Sequence, residues 1–278
     1  MPELPEVETV VRELRADGLI GCVITRASVF WKPIIAPLAP AAFAARLKGQ
    51  RVQSIHRRAK YIVITLSGGN TLLIHLRMTG QLSLARPKTP RDLHQHIVLR
   101  LDDGRELRYR DTRKFGRWIL TSTPNVILGR LGPEPLSDHF DRKIFISQLR
   151  TRRRQLKPLL LDQTFLAGIG NIYADEALWD ARLHPGRVAS TLNATEARRL
   201  HGAIRRVLRR GIQNQGTTLG HGQPNFQRPG GKRGRNQEGL KVFRRTGLPC
   251  LRCGKPIGRM IIGQRSTHIC PNCQPAAG

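Results

Sequence analysis

The chain has 278 residues, 39% of them hydrophobic, which is enough for about two domains with real cores. Its 48 Lys and Arg against 19 Asp and Glu give a formal net charge of +29. This excess goes far beyond what solubility requires, so it predicts a polyanion partner, nucleic acid first, rather than a merely basic surface. No apolar run is long enough for a membrane span and no signal peptide is visible, so a cytoplasmic protein is expected.

The N-terminus combines a small second residue with an amphipathic stretch. Because Pro2 is small, we expect Met1 to be removed, which leaves a secondary amine able to attack an electrophilic carbon. Glu3 and Glu6 share one face near this amine, either to offset the helix dipole or to act in proton transfer. A helix ending near Asp17 is predicted by apolar residues at three- and four-residue steps: Leu4, Val7, Val10, Val11 and Leu14.

Short apolar runs separated by turns follow the first helix and predict a β-rich region up to residue 125. A short helix is expected over 41–47. The D-G turn at Asp103-Gly104 indicates a hairpin. The expected strands lie at 22–30, 52–55, 61–66, 71–76, 97–101, 106–109 and 118–120.

Helical periodicity begins after a Pro- and Gly-rich linker. Between two of the predicted helices, Gly168-Ile169-Gly170 brings backbone N–H groups to a helix N-terminus, a ready phosphate site, and Asn171 would cap that helix or bind the phosphate. Residues 216–239 have no periodicity and are expected to form a mobile loop. The predicted segments are a catalytic domain at 1–125, a linker at 126–136, a helical domain at 137–215, the loop at 216–239 and a zinc finger at 240–278.

Four of the five cysteines follow the pattern C-x2-C-x16-C-x2-C: Cys250, Cys253, Cys270 and Cys273. Each C-x2-C pair can turn two thiolates to one ion, and two pairs complete a tetrahedron. One structural Zn2+ is favoured over two disulfides. Four thiolates leave no open position, so the metal has no direct catalytic role. The remaining Cys22 is expected to be a small buried residue.

Several segments, in order along nearly the whole chain, resemble bacterial formamidopyrimidine-DNA glycosylases. They include the N-terminal stretch 1–10, Arg57 to Tyr61, His75 to Gly80, Asp111 to Gly116, Leu131 to Leu136, Gly168 to Ala174 and the terminal four-cysteine finger. The resemblance implies an α+β, multidomain protein. Its parts would be an N-terminal helix with an antiparallel β-sandwich, a helix-two-turn-helix domain and a C-terminal zinc-ribbon finger.

The activity implied by this resemblance is bifunctional DNA repair. Such an enzyme excises oxidised purines, among them 8-oxoguanine and formamidopyrimidines, and cleaves the abasic strand by β,δ-elimination through a Schiff base on Pro2. The implied roles are general acid for Glu3, support of that acid for Glu6, proton transfer in β-elimination for Lys60, and δ-elimination with phosphate binding for Arg265.

The implied partner is double-stranded DNA that contains oxidised bases, bound by a monomer. A flipped-out nucleotide leaves a gap in the base stack, which apolar wedges and a hydrogen-bond donor can fill. The resemblance assigns wedge roles to Met78 and Phe115 and a donor role to Arg113. It assigns phosphate or backbone contacts to His94, Arg152 and Asn171.

Two alternatives remain open at this point. An endonuclease VIII-like glycosylase for oxidised pyrimidines shares the mechanism, but its N-terminus usually differs after Glu3. A non-catalytic basic zinc-ribbon protein explains the charge and the cysteines but not Pro2-Glu3 with Lys60. The loop at 216–239 is more basic and glycine-rich than the family pattern, Phe243-Arg244 stands where Tyr-Gly is common, and Arg77 stands where a small residue is common, so lesion preference is not assigned.

Overall fold

A computed structural model describes residues 1–87, 89–220 and 224–276. These residues form two compact units. The first contains Met1–Arg130 and Asn214–Gln237, and the second contains Leu131–Gln213 and Glu238–Gly278. In the described part of the chain, no helix has the length and apolar character needed to cross a membrane.

The first unit holds two four-stranded antiparallel sheets and the N-terminal helix. Its elements are α1 Leu4–Ala16, β1 Ile24–Val29, α2 Pro40–Leu47, β2 Val52–Arg58, β3 Tyr61–Leu66, β4 Thr71–His75, β5 Gln81–Ala85, β6 Gln95–Leu101, β7 Glu106–Arg110, β8 Arg117–Thr121 and α3 Asn125–Leu128. One sheet has the strand order β1-β6-β7-β5 and the other has the order β2-β3-β4-β8.

A single apolar core joins the two sheets to α1. It contains inward-facing residues of both sheets, among them Ile62 and Leu99, together with Val7 and Val10 of the helix. Alternation of side chains along each strand places these residues on one face and polar residues on the other. The predicted sandwich with its N-terminal helix is therefore confirmed, and α1 begins and ends where the sequence indicated.

The strand β5 was not predicted from the sequence. Only Leu82 of this five-residue strand is buried, so its apolar pattern is too weak to indicate a strand by itself. Pairing with β7, in the register Leu82 opposite Tyr109, holds it in the sheet. Pairing with β7, rather than the local strand propensity of its residues, therefore determines that this segment forms a strand.

The second unit joins four helices to a two-stranded hairpin. Its elements are α4 Arg142–Arg150, α5 Leu156–Leu161, α6 Asn171–Asp180, α7 Ala194–Gln213, β9 Gly258–Ile262 and β10 Arg265–Ile269. Three arginines of α7 donate hydrogen bonds to groups of their own unit: Arg199, Arg205 and Arg206.

Buried carboxylates on α6 hold the hairpin and its lead-in segment against the helices. Asp175 pairs with Lys157 at 2.6 Å, and its second oxygen accepts the backbone N–H of His268 at 2.9 Å. Glu176 accepts the backbone N–H groups of residues 241–243. Because a broken buried ion pair leaves a charge unpaired, these contacts fix the place of the finger on its helices.

The segment expected to be a mobile loop contributes buried residues to the first unit. Phe226 lies in the core of that unit, and Thr217 and Asn236 are buried. Arg228 pairs with Glu13 of α1. Residues 221–223 of the predicted loop lie outside the described residues. Single anchor residues make these contacts, and no regular apolar face is involved. The sequence of this segment therefore has no periodic pattern from which the contacts could be predicted.

Candidate active site

The residues at the start of α1 form a buried acidic cluster behind Pro2. Pro2 itself is buried beneath an exposed Met1. Glu3 is only 2% exposed and is the N-cap residue of the helix. Glu6 Oε2 accepts the backbone N–H of Glu3 at 2.8 Å in a reciprocal capping box. Removal of Met1 would place the free amine next to a carboxyl group that is held in a defined position.

The second oxygen of Glu6 binds the segment that follows α7. Glu6 Oε1 accepts the backbone N–H of Thr217 at 2.7 Å. The neighbouring Gly216 has φ +81°, and a Cβ there would lie 3.0 Å from Glu6 Cγ and 2.9 Å from the Phe226 ring. Only glycine fits this backbone conformation and this approach. Glu6 therefore links the start of α1 to the glycine-rich segment.

Lys60 lies in the two-residue turn between β2 and β3 and is buried. The preceding Ala59 has φ +54°, a strained value for a residue with a Cβ. α1 packs on both strands of this hairpin. Arg57 donates to Glu8 of α1 at 3.0 Å and to the Ala59 carbonyl at 3.1 Å. Burial raises the pKa of Glu8, but bonds from Arg12 and Arg57 outweigh burial and hold this pKa below its usual value.

His75 is a buried neutral imidazole at the end of β4. Burial, Arg77 and Lys60 together lower its pKa to about 3. Its Nδ1 accepts the backbone N–H of Arg77 at 3.0 Å, and its ring packs edge-on against Tyr61. A proton on this ring would have to be buried near two cations. His75 therefore acts as a neutral packing and hydrogen-bonding group across the physiological pH range.

We expect His75→Asn to weaken the acid sensitivity of folding. A lowered histidine pKa means that the unfolded chain binds the proton more tightly, so stability present above pH ~6.5 is lost as pH falls towards 3. Between pH ~7.5 and ~5 this histidine alone costs the wild type about 2 kcal/mol of unfolding free energy. Asn keeps an acceptor for Arg77. Urea unfolding of both proteins across this range should show that difference, and parallel pH profiles would contradict the assignment.

Asp111 is a fully buried carboxylate that ties two surface loops together. Its Oδ1 accepts from the Thr79 hydroxyl at 2.5 Å and from the Arg113 N–H at 3.2 Å. Its Oδ2 accepts from the Gly116 N–H at 2.8 Å and the Tyr109 hydroxyl at 3.3 Å. One carboxylate thus joins the loop after β4 to the loop after β7 through three loop donors, and a fourth donor, Tyr109, lies in β7 itself.

These two loops carry the three residues expected to fill the gap left by a flipped nucleotide. Met78 is 37% exposed and Phe115 is 48% exposed, although both are large apolar side chains. The Arg113 guanidinium lies over the Phe115 ring, with Cζ 4.8 Å from the ring centroid. The structure brings Met78, Arg113 and Phe115 onto two loops that share one anchor, Asp111, and their joint role in the base stack stays a prediction.

We expect Asp111→Asn to weaken discrimination between damaged and intact DNA. An amide would face four donors with an N–H2 group, so at least one charged hydrogen bond worth about 1.5–3 kcal/mol is lost and the loops loosen. The ratio of dissociation constants for lesion-containing and intact duplexes should fall by about tenfold or more, by fluorescence anisotropy. Asp103→Asn, in the β6–β7 turn, is the matched control and should leave the ratio unchanged. Equal effects of both variants would refute this role.

The remaining expected DNA contacts are divided between the two units. His94, in the first unit, is half-buried, and its carbonyl accepts the Asp111 N–H at 2.9 Å. In the second unit, Arg152 follows α4 and Arg265 begins β10, and both are exposed. Asn171 does not cap α6, because Gly170 is the N-cap; its amide instead donates to the Ser266 carbonyl at 3.0 Å. This bond links the glycine turn to the strand that carries Arg265.

The four C-terminal cysteines converge as the spacing predicted. All four are free thiols, and their sulfur atoms lie within 4.8 Å of one another. Sulfurs about 2.3 Å from one tetrahedral ion are about 3.8 Å apart. Two pairs lie close to this value: Cys250 and Cys273 are 4.0 Å apart, and Cys253 and Cys270 are 3.4 Å apart. Both distances exceed a disulfide bond length. The cluster fits one structural Zn2+.

Three residues that organise this region had no role assigned from the sequence. Asp111 and His75 stood inside recognised segments, and Thr217 stood in the predicted loop. The sequence pattern that could have indicated an anchoring role for Asp111 is its position as a charged residue between a strand and a glycine-containing turn. Backbone groups such as the Thr217 N–H leave no side-chain signal, so no sequence pattern could have identified that contact.

Comparison with known families matches nearly the whole chain. The N-terminal domain of formamidopyrimidine-DNA glycosylase matches residues 1–118, the H2TH domain of the same enzymes matches residues 131–222, and the zinc finger found in FPG and IleRS matches residues 247–276. A formamidopyrimidine-DNA glycosylase from Protochlamydia amoebophila is 46% identical over 99% of both chains. One from Herpetosiphon aurantiacus is 48% identical over 99% of this chain and all of the relative.

Solved structures agree in fold. The MutM (Fpg) protein of Thermus thermophilus has a TM-score of 0.88 at 40% identity, and the match covers both chains fully. The Lactococcus lactis Fpg in complex with DNA containing an abasic site has a TM-score of 0.89 at 36% identity, covering 98% of this chain and 99% of the other. The fold and site define a zinc-finger DNA repair glycosylase. The chain belongs to the formamidopyrimidine-DNA glycosylase family.

Proposed function

We propose that this protein removes oxidised purines, such as 8-oxoguanine and formamidopyrimidines, from double-stranded DNA and cleaves the resulting abasic strand. The observation that supports this most strongly is the buried start of α1, where Glu6 fixes the backbone of Glu3 directly behind Pro2. A similar solved structure, the Lactococcus lactis FPG (MutM), is a complex with DNA that contains Fapy-dG. The excess of 29 positive charges suits a phosphate-rich partner.

The first chemical step joins Pro2 to the sugar. After loss of Met1, the lone pair of the Pro2 nitrogen attacks C1′ of the flipped nucleotide, and the glycosidic bond breaks with its electrons passing to the base, which takes up a proton. Glu3 protonates the ring oxygen O4′ as the sugar opens, which leaves a cationic iminium at C1′. A secondary amine gives this cation without loss of a second proton from nitrogen.

The iminium then drives strand cleavage. It acidifies the C2′ proton, and Lys60 assists removal of that proton as the bond from C3′ to the 3′ phosphate breaks. A second elimination breaks the bond to the 5′ phosphate, and Arg265 holds the phosphate involved. Water finally hydrolyses the iminium, which releases the sugar remnant as an aldehyde and restores the Pro2 amine. Glu6 positions Glu3, and the zinc finger positions Arg265, with no chemical step at the metal.

Recognition divides among the remaining residues. Met78 and Phe115 enter the base stack, and Arg113 donates to the orphaned base on the opposite strand. His94, Arg152 and Asn171 contact the DNA backbone, so they fix orientation without reading sequence. The protein acts as a monomer on this DNA and works in the cytoplasm, where the chromosome lies.

A cleavage panel tests this function. Duplexes that carry 8-oxoguanine, a formamidopyrimidine, an oxidised pyrimidine or no lesion would be incubated with the protein and separated on denaturing gels. Oxidised purines should be cleaved at least about tenfold faster than the oxidised pyrimidine, with phosphate left at both ends of the gap. Preference for the pyrimidine would instead indicate an endonuclease VIII-like specificity, and absence of all cleavage would indicate a binding protein.

A further inference from the structure

A cavity of about 440 Å³ lies on the outer face of the β1-β6-β7-β5 sheet. Its walls include Arg26 of β1, Phe30 directly after β1, Arg100 of β6 and Arg108 of β7. These residues alternate with the inward-facing core residues of the same strands, so the cavity opens on the face away from the core. It shares no residue with the cluster at the start of α1. The size is within the range of ligand sites.

The charges in this cavity are not balanced by the protein itself. Arg26 lies directly opposite Arg100 in the pairing of β1 with β6, and like charges in that position destabilise a sheet. The single carboxylate, Glu106, is shared by Arg100 at 3.0 Å and Arg108 at 2.8 Å. In the described part of the chain no ion pair includes Arg26 or the fourth arginine of the wall, Arg91. Four guanidinium groups against one carboxylate leave a local charge of +3.

The arginines differ in what they can offer to a ligand. Arg108 is buried, and its remaining donors bind the carbonyls of Thr89 and Pro90, so it supports the wall. Arg26 is exposed, and the Arg100 side chain is 56% exposed. Removal of Arg100 would still leave Glu106 paired with Arg108. The two opposed arginines are therefore dispensable for the fold and available to an anion.

An aromatic side chain stands beside these cations. Phe30 is 51% exposed, which is unusual for a phenylalanine on a sheet that has a full core beneath it. The Arg91 guanidinium lies over its ring, with Cζ 4.1 Å from the centroid. Exposed aromatic rings and guanidinium planes on a sheet are the surfaces on which unpaired bases stack, while neighbouring arginines bind the backbone phosphates.

We propose that this outer face binds a short stretch of single-stranded nucleic acid, separately from the lesion site. The phosphates would lie on Arg26 and Arg100, and one base would stack on Phe30 beside Arg91. Such a contact goes beyond the proposed repair reaction, because it lets the protein hold an unpaired strand while a duplex occupies the active site. A basic surface alone would bind any phosphate-containing ligand. The half-exposed Phe30 ring favours a ligand that also carries a base able to stack on it.

The test measures binding of a labelled strand to protein whose active site is already occupied. The protein would first be saturated with unlabelled duplex that carries a tetrahydrofuran abasic analogue, and fluorescein-labelled (dT)8 would then be titrated by anisotropy. Arg26→Ser with Arg100→Ser should weaken (dT)8 binding at least about tenfold and reduce the slope of log K against log salt by about 1.4. Arg46→Ser with Lys48→Ser, an exposed pair on and after α2 with the same charge change, should weaken it less than about twofold.

A second variant separates stacking from charge. Phe30→Ser should weaken (dT)8 severalfold but leave unchanged the binding of a sugar-phosphate oligomer without bases. Lesion cleavage should stay at the wild-type rate in all of these variants. A loss of lesion cleavage would therefore indicate a defect in the repair site and not in the proposed strand-binding face. Equal weakening by the control pair, failure of preloaded wild type to bind (dT)8, or equal competition by poly-glutamate would overturn the proposal.

Discussion

Replacement of Pro2 by Gly should lower both base excision and strand cleavage by about 100-fold or more. The variant keeps an N-terminal amine but loses the secondary nitrogen that becomes a cationic iminium directly, and the loss of a covalent nucleophile is among the most costly changes an enzyme can undergo. Single-turnover cleavage of an 8-oxoguanine duplex measures the effect. Binding of an uncleavable duplex should stay within about threefold of wild type.

The control for this variant is Pro5→Gly. Pro5 stands in the first turn of the same helix, so its replacement changes the helix start without touching the amine. Cleavage by Pro5→Gly should remain within about tenfold of wild type. Full activity of Pro2→Gly would exclude the N-terminal amine as the nucleophile, whereas equal losses in both variants would point to a structural effect of the helix start.

Replacement of Cys250 by Ser should remove the zinc and abolish tight DNA binding. Structural zinc sites contribute about 10–16 kcal/mol of apparent binding free energy, most of which is folding free energy of the finger. Without the metal, β10 loses the order that places Arg265, and Ser266 no longer holds Asn171. We expect duplex affinity to fall at least about 100-fold, with zinc content near zero by metal analysis.

Circular dichroism and a matched cysteine variant distinguish loss of the zinc finger from unfolding of the whole protein. The β-sheet signal of the first unit should persist in Cys250→Ser, since none of the four ligands belongs to that unit. Cys22→Ser should leave zinc content and affinity unchanged, because Cys22 is buried in the first unit and burial, followed by the bond with Asp103, raises its pKa. Retained affinity in a zinc-free protein would show that the finger is dispensable for DNA.

The sequence predicted the parts of the fold that have a regular period. The stripe from Leu4 to Leu14, the hairpin at 61–76 and the four-cysteine spacing each express one local rule, and the structure confirms all three. The strand β5 and the anchoring of the 214–237 segment could not be read in this way. Both depend on partners far along the chain, such as Tyr109 for the strand and Glu6 for the segment.

The residues of the candidate site also differ in whether the sequence alone could identify them. The sequence predicted roles for Pro2, Glu3 and the cysteines because each belongs to a short segment with a chemical reason for its residue type, whereas the role predicted for Lys60 rests on the family resemblance. Asp111 was not, although it holds two loops, because its role exists only when Thr79 and Gly116 are brought to it by the sandwich. Taken alone, Lys60 looks like an ordinary turn lysine, and only the family resemblance gave it an expected role. The structure places its turn beneath α1, braced by Arg57 and Glu8.

The most direct test of the mechanism is the identity of the atom that bonds to the sugar. The protein would be incubated with an 8-oxoguanine duplex in the presence of sodium borohydride, digested, and the adduct mapped by tandem mass spectrometry. The reduced sugar should be attached to the nitrogen of Pro2 at the start of a chain that lacks Met1. An adduct on an internal lysine, or trapping by a protein that retains Met1, would contradict catalysis by the N-terminal proline.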